Sequence, residues 1–152
     1  MGTLVDTGVL LRAFDANFDR YRSIRQALRK ALDTNERLSV TIQNMAEFWN
    51  VATRPLEYNG QGLSAERTKR RLRIIERLCQ VVAEDLRSYE EWKRLVDELG
   101  VSGVKVHDAR LVAVMKTHGI DAILTLNEGD FRRYAGEGIR ALTPEQFTQA
   151  GT

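Results

Sequence analysis

Short β-rich apolar runs alternate with longer amphipathic stretches along this chain, and that alternation restricts the fold more than any other feature. The runs are Leu4-Val5, "RLSVTI" (37–42), Val81-Val82, "DAILTL" (121–126) and "GIRALT" (138–143). The stretches between them carry apolar residues at helical spacing. "VLLRAFD" and residues 19–33 read as helices, the latter with Tyr21, Ile24, Leu28 and Leu32 on one stripe. A third helix is expected from Asn44 to Thr53, ended by Arg54-Pro55, with "EYNGQG" as a loop beyond it. Ser64 caps a basic helix over 65–79 that turns Leu72, Ile75 and Leu78 inward. Another runs from about Ser88 to Leu99 with Gly100 as its stop, and "VHDARLVAVMKTHG" is a last one, also ended by glycine. Strands separated by helices pair in parallel, because a parallel pair needs a long crossover that a helix supplies. The expected fold class is therefore α/β, with a central, mostly parallel sheet flanked by helices. Ligand sites in such sheets gather at the carboxyl ends of the strands.

Bulk properties set the outer bounds. The chain has 152 residues, 43% hydrophobic and 29% charged, enough for one domain with a core of its own. We expect that domain over 1–147, with 148–152 as a C-terminal tail. No apolar run approaches the roughly 20 residues of a membrane helix. The start "MGTLVDTG" lacks a basic segment before its apolar residues, so no signal peptide is expected. Nor is myristoylation, since the Ser or Thr such a signal wants nearby is replaced by Val5. The lone Cys79 excludes an internal disulfide and a cysteine zinc site, and reads as a small buried apolar residue. These features fit a cytoplasmic address. A net charge of +2 does not announce a nucleic-acid binder, although "RTKRRLR" (67–73) concentrates cations. "NGQG" follows no strand and precedes no Lys-Ser/Thr, so it is not a phosphate loop.

The carboxylates carry the chemistry. Asp6 ends the first strand, Glu47 lies one turn into the helix after "SVTI", and Asp108 opens the helix "DARLVAVM". Asp130 follows the "AILTL" strand after a short polar turn. Asp108 shares a helical stripe with Leu111, Val112 and Met115, which points it inward. A buried acid is costly unless it is paired or bound to a cation. Four such acids converging on Mg²⁺ or Mn²⁺ would share that cost, since these ions prefer carboxylate oxygens and water. Each acid also has a plain structural reading. Asn44 to Glu47 and Asn127 to Asp130 have capping-box spacing, Asp108 suits a helix start, and Asp6 suits a turn. Those readings leave unexplained why all four fall at one end of the sheet.

Three segments together resemble the PIN domain, and within it the VapC-type toxins of bacterial toxin–antitoxin pairs. They are "LVDTGVLLRAFD", "TIQNMAEFWNVATRP" and "VHDARLVAVMKTHGIDAILTLNEGDF", in matching order along nearly the whole chain. The resemblance implies a three-layer α/β domain acting as a Mg²⁺- or Mn²⁺-dependent endoribonuclease. Asp6, Glu47, Asp108 and Asp130 match the family's acidic cluster. Thr7 matches the polar residue after the first acid, Thr125 the hydroxyl residue before the last motif, and Asn127 the residue that steadies the last acid. Gly8 departs from the pattern, standing where the family usually has Asn. A homodimer and a small antitoxin laid across the site are implied as well, the antitoxin in a groove lined by the helices at 19–33 and 65–79.

On this reading Asp6 and Asp108 are the first choices for direct metal ligands, and Glu47 is a ligand or the base that orients water. Asp130 reaches a second metal or acts through water. Arg12, Arg54, Arg110, Arg132 and Arg133 lie near the acidic motifs and are candidates for RNA phosphates. His107 and His118 read as helix-end residues, and Trp49 and Trp92 as core or dimer interface. Two other readings stand beside the nuclease. One is a catalytically weak or inactive PIN-fold RNA-binding or interaction module, supported by Gly8. The other is a domain that takes a small phosphorylated ligand in the same cleft.

Overall fold

The computed structural model describes residues 2–150. Its strands are β1 (Thr3–Val5), β2 (Leu38–Thr41), β3 (Gln80–Val82), β4 (Ala122–Leu124) and β5 (Arg140–Leu142), each inside one of the expected runs or touching it. They form one sheet in the order β3-β2-β1-β4-β5, and every neighbouring pair is parallel. The order reverses direction between β1 and β4, and that crevice is where doubly wound sheets bind ligands.

Among the described residues six helices make the first three crossovers: α1 (Thr7–Arg12), α2 (Tyr21–Asp33), α3 (Ile42–Thr53), α4 (Ala65–Leu78), α5 (Leu86–Glu98) and α6 (Val106–Thr117). The 3-10 segment Glu128–Glu137 joins β4 to β5, and α7 (Pro144–Gln149) follows β5. Side chains along a strand alternate between faces. Leu4 and Ile123 therefore enter a core with Leu95, Val112, Met115, Phe131 and Tyr134. Val5 and Leu124 enter a second core with Val9, Ile24, Ala27, Phe48 and Ile75. Helices thus cover both faces of the sheet, giving three layers. Among the described residues no helix is long and apolar enough to cross a membrane. Cys79 is buried, and that burial pushes its thiol up to about 12, so it packs as an apolar residue.

Several boundaries differ from expectation for local reasons. α3 begins at Ile42 rather than Asn44, because Thr41 is the N-cap and Asn44 closes a capping box with it. α5 likewise begins at Leu86: Asp85 is the cap, and Ser88 is the third residue of its box. The buried face of α2 is Ile24, Ala27 and Ala31, while Leu32 of the expected stripe is 54% exposed. A 3-10 turn, Leu56–Tyr58, lies in the expected loop, and another, Gly103–Lys105, leads into α6.

Helix α7 was not expected. Thr143 caps it with Gln146, Pro144 opens it, and Lys30 Nζ donates to the carbonyls of Phe147, Thr148 and Ala150. Of the expected tail 148–152, residues 151 and 152 lie outside the described residues, as does Met1 of the N-terminal motif.

Candidate functional site

Asp6 is placed by two elements at once. Its amide donates to the Leu124 carbonyl at 3.0 Å, continuing the β1–β4 ladder, and its side chain caps α1. Oδ1 accepts from the Thr7 amide at 2.9 Å and Oδ2 from the Thr125 hydroxyl at 2.8 Å. Thr125 is fully buried, and its hydroxyl also accepts from the Asn127 amide at 3.1 Å. The end of β4 is thereby joined to the first acid.

The Thr7 hydroxyl donates to Glu47 Oε1 at 2.7 Å and accepts from Asn44 Nδ2 at 3.1 Å. Asn44 is itself fixed, since its Oδ1 accepts from the Thr41 amide at 2.9 Å. Glu47 is therefore not the capping residue that its spacing also allowed; it hydrogen-bonds to Thr7 on α1. Gln43 Nε2 lies 3.3 Å from Glu47 Oε2 and donates to the His107 carbonyl at 3.1 Å, which ties α3 to the start of α6. Asn44 and Gln43 were missed as site residues. The Thr41-x-x-Asn44 capping spacing was a signal for Asn44 as a fixed side chain, whereas nothing local marks Gln43.

Asp108 lies half-buried in the first turn of α6. Burial, then the charges of Asp130 and Asp6, push its carboxyl up to about 6; Lys105 opposes them and Glu47 adds to them. The Asp6 carboxyl is raised too, first by burial and further by Glu47 and Asp130, against the hydrogen bonds from Thr125 and Thr7. Asp6 and Asp108 each feel the charges of neighbouring acids, so the sheet's switch point is a focus of negative charge. Asp130, in the 3-10 segment Glu128–Glu137, pairs with Lys105 at 3.1 Å. Asn127 meets it through the backbone, its carbonyl accepting from the Asp130 amide at 3.1 Å.

The arginines divide into two groups. Arg12 pairs with Asp15, Arg54 donates to the Asn59 carbonyl, and Arg110 grips Glu84 with two bonds of 2.6 and 2.7 Å. Arg132 and Arg133 are exposed, and their side chains make no hydrogen bond or ion pair among the described residues. His107 is exposed, and the His118 ring bonds the Ala83 carbonyl. Trp92 donates to the Val106 carbonyl at 2.9 Å, whereas Trp49 is on the surface. Gly8 has room: an added Cβ would meet only Leu126 Cδ1, at 3.7 Å.

Among the described residues, no three His, Cys, Asp or Glu side chains are grouped closely enough to enclose a metal ion by themselves. The donor chemistry nevertheless suits Mg²⁺ or Mn²⁺, because every donor is a carboxylate oxygen and two of the acids are held above their ordinary range. Mg²⁺ is commonly bound by one or two carboxylates with water and substrate phosphate completing the octahedron. That demand is lighter than a closed protein cage, and the cluster is compatible with it.

The family model for the PIN domain matches residues 3–137. None of the curated proteins matches the chain significantly. Among solved structures, it is similar to VapBC-1 from nontypeable Haemophilus influenzae, with a TM-score of 0.68 and 12% identity, covering 95% of this chain and 98% of that one. VapBC2 from Rickettsia felis, bound to a promoter DNA fragment, gives 0.66 and 16%, over 94% and 98%. VapC20 from Mycobacterium tuberculosis, a toxin that cleaves the sarcin-ricin loop, gives 0.62 and 17%, over 91% and 96%. At these identities the likeness bears on the fold.

Proposed function

The chain belongs to the PIN domain family, and from that premise we propose that it is a Mg²⁺- or Mn²⁺-dependent endoribonuclease, the toxin of a type II toxin–antitoxin pair. The observation that carries the proposal is the acidic focus at the β1–β4 switch point, where Asp6 and Asp108 are held above the ordinary carboxylate range. Burial first and the neighbouring acids second raise these carboxyls, and a bound divalent ion would offset both.

Asp6 and Asp108 would hold the ion, with Glu47 and Asp130 beside them. A bound divalent ion supplies Lewis acidity toward phosphate and makes water acidic near neutral pH. The rest is the work of this chain's own residues. Thr125 and the Thr7 amide fix both oxygens of Asp6, so it presents its remaining lone pairs in one direction. Thr7 holds Glu47 Oε1, leaving Oε2, with its long contact to Gln43, to orient a water and accept its proton. In-line attack on a phosphodiester then leaves a 5′-phosphate and a 3′-hydroxyl. Arg132 and Arg133 are free to meet the RNA backbone, while Arg12, Arg54 and Arg110 would first have to leave their present partners.

The same reading includes a homodimer, a small antitoxin partner and a cytoplasmic setting. Its test is cleavage of cellular RNA by antitoxin-free protein with Mg²⁺ or Mn²⁺, then with EDTA. Cutting that needs the metal and yields 5′-phosphate ends supports the nuclease. A folded protein that binds neither ion and cuts nothing supports the inactive PIN-fold module instead.

A further inference from the structure

Lys105 closes the 3-10 turn Gly103–Lys105, immediately before α6, and its ammonium reaches Asp130 Oδ1 at 3.1 Å. Among the described residues it is the only Lys or Arg bonded to any of the four acids: Asp6 and Glu47 are held by Thr, Gln and backbone groups, and no side chain bonds Asp108. Its charge also opposes the three other acids in their effect on Asp108. One residue thus faces two of the acids from the start of the helix that carries one of them. We propose that Lys105 is the acidic site's own counter-ion, which competes with the divalent cation for Asp130 and turns to RNA phosphate once that cation is bound.

The geometry suits an exchangeable role. Both partners are substantially exposed, 48% and 40%, so the pair is screened by water and easily opened. An ammonium on a flexible stem is a compact point charge, unlike the two-pronged grip of Arg110 on Glu84. Without a divalent ion, Lys105 offsets part of the repulsion among the acids. When a cation takes Asp130, the ammonium is released at the mouth of the site, where phosphate would arrive. The inference rests on the metal-nuclease reading above.

The test is Mn²⁺ affinity, measured by electron paramagnetic resonance on the RNA-free full chain, for the parent, Lys105→Met and Lys105→Arg, alone and combined with Asp130→Asn. Lys105→Met is expected to bind Mn²⁺ roughly threefold to tenfold more tightly, since an exposed pair and its local field are worth about that much. Lys105→Arg should stay within about twofold of the parent, and the gain from Lys105→Met should shrink in the Asp130→Asn background. Lys105→Met should also raise the KM for RNA, opposite in sign to its gain in metal affinity, a pattern that a merely structural lysine would not give. Thermal melting confirms that the variants fold. Parent Mn²⁺ binding that Lys105→Met leaves unchanged or weakens overturns the role of Lys105 alone. Failure of the parent to bind Mn²⁺ overturns the nuclease reading and this inference with it.

Discussion

Two clusters of carboxylates in this protein, one of Glu and one mostly of Asp, are shifted in opposite directions. On α5, Arg94 bonds Glu91, Glu98 at 3.0 Å and Glu137 at 2.6 Å, while Lys116 reaches Glu137 at 3.2 Å. Those cations hold the Glu137 carboxyl below its ordinary range. At the β1–β4 switch point, Asp6, Glu47, Asp108 and Asp130 have Lys105 as their single bonded cation among the described residues, and Asp6 and Asp108 are raised instead. The first cluster is balanced and joins α5 and α6 to the segment that follows β4. The second lies at the switch point with little counter-charge of its own, which is the imbalance the proposed divalent cation would relieve. The difference lies in burial and in counter-charge: Asp6 and Asp108 are raised first by burial and then by neighbouring acids, whereas Glu137 is lowered first by its bond from Arg94.

The largest effect that could break this contrast is catalytic. Asp6→Asn or Asp108→Asn is expected to lower RNA cleavage by about 10²–10³-fold, since each removes a proposed ligand of the ion that would stabilise the transition state; near-parental cleavage in both would place the chemistry elsewhere. Arg94→Ala should do the reverse. It should leave cleavage within about twofold and cost about 1 kcal/mol of stability in a denaturant melt, as expected for a partly exposed network.

A smaller effect, of opposite sign, is expected at Asp108 in metal-free protein. Its carboxyl is raised to about 6, so the folded state holds that proton more tightly than the unfolded chain does. The stability this contributes is full below about pH 4 and is lost as pH rises through 6. Asp108→Asn should therefore stabilise the metal-free protein at neutral pH by about 1 kcal/mol, after allowing for solvent screening at a half-exposed group. The smallest effect is at Gly8. With only Leu126 near an added Cβ, Gly8→Asn should change stability by no more than about 0.5 kcal/mol. If the missing Asn loosens the Asp6 corner, the same variant should tighten Mn²⁺ binding severalfold.

Much of the fold was legible because its signals are local. All five strands lie at short β-branched or apolar runs, and Gly100 and Gly119 end their helices at φ of +63° and +67°. The start of α3 was misjudged because Thr41 and Asn44 are both good caps, and the choice between them is made by Thr7, distant in sequence, which takes the Asn44 amide. Helix α7 was hidden for a similar reason: it is short, and Lys30 on α2 supplies acceptable partners for its last carbonyls. In the site, the four acids and Thr7 and Thr125 stand out in the sequence. Gln43, Asn44 and Lys105 do not, because a buried amide and a surface lysine acquire their roles only when α1, α3 and the segment after β4 meet.

The most direct measurement is an NMR titration of the Asp108 side-chain carboxyl, without metal and then with millimolar Mg²⁺. An apparent value near 6 in the free protein, falling into or below the ordinary carboxylate range when Mg²⁺ is added, is the expected result. A carboxyl already in the ordinary range in free protein, or one that Mg²⁺ leaves near 6, would contradict the assignment of the switch-point acids to a divalent cation.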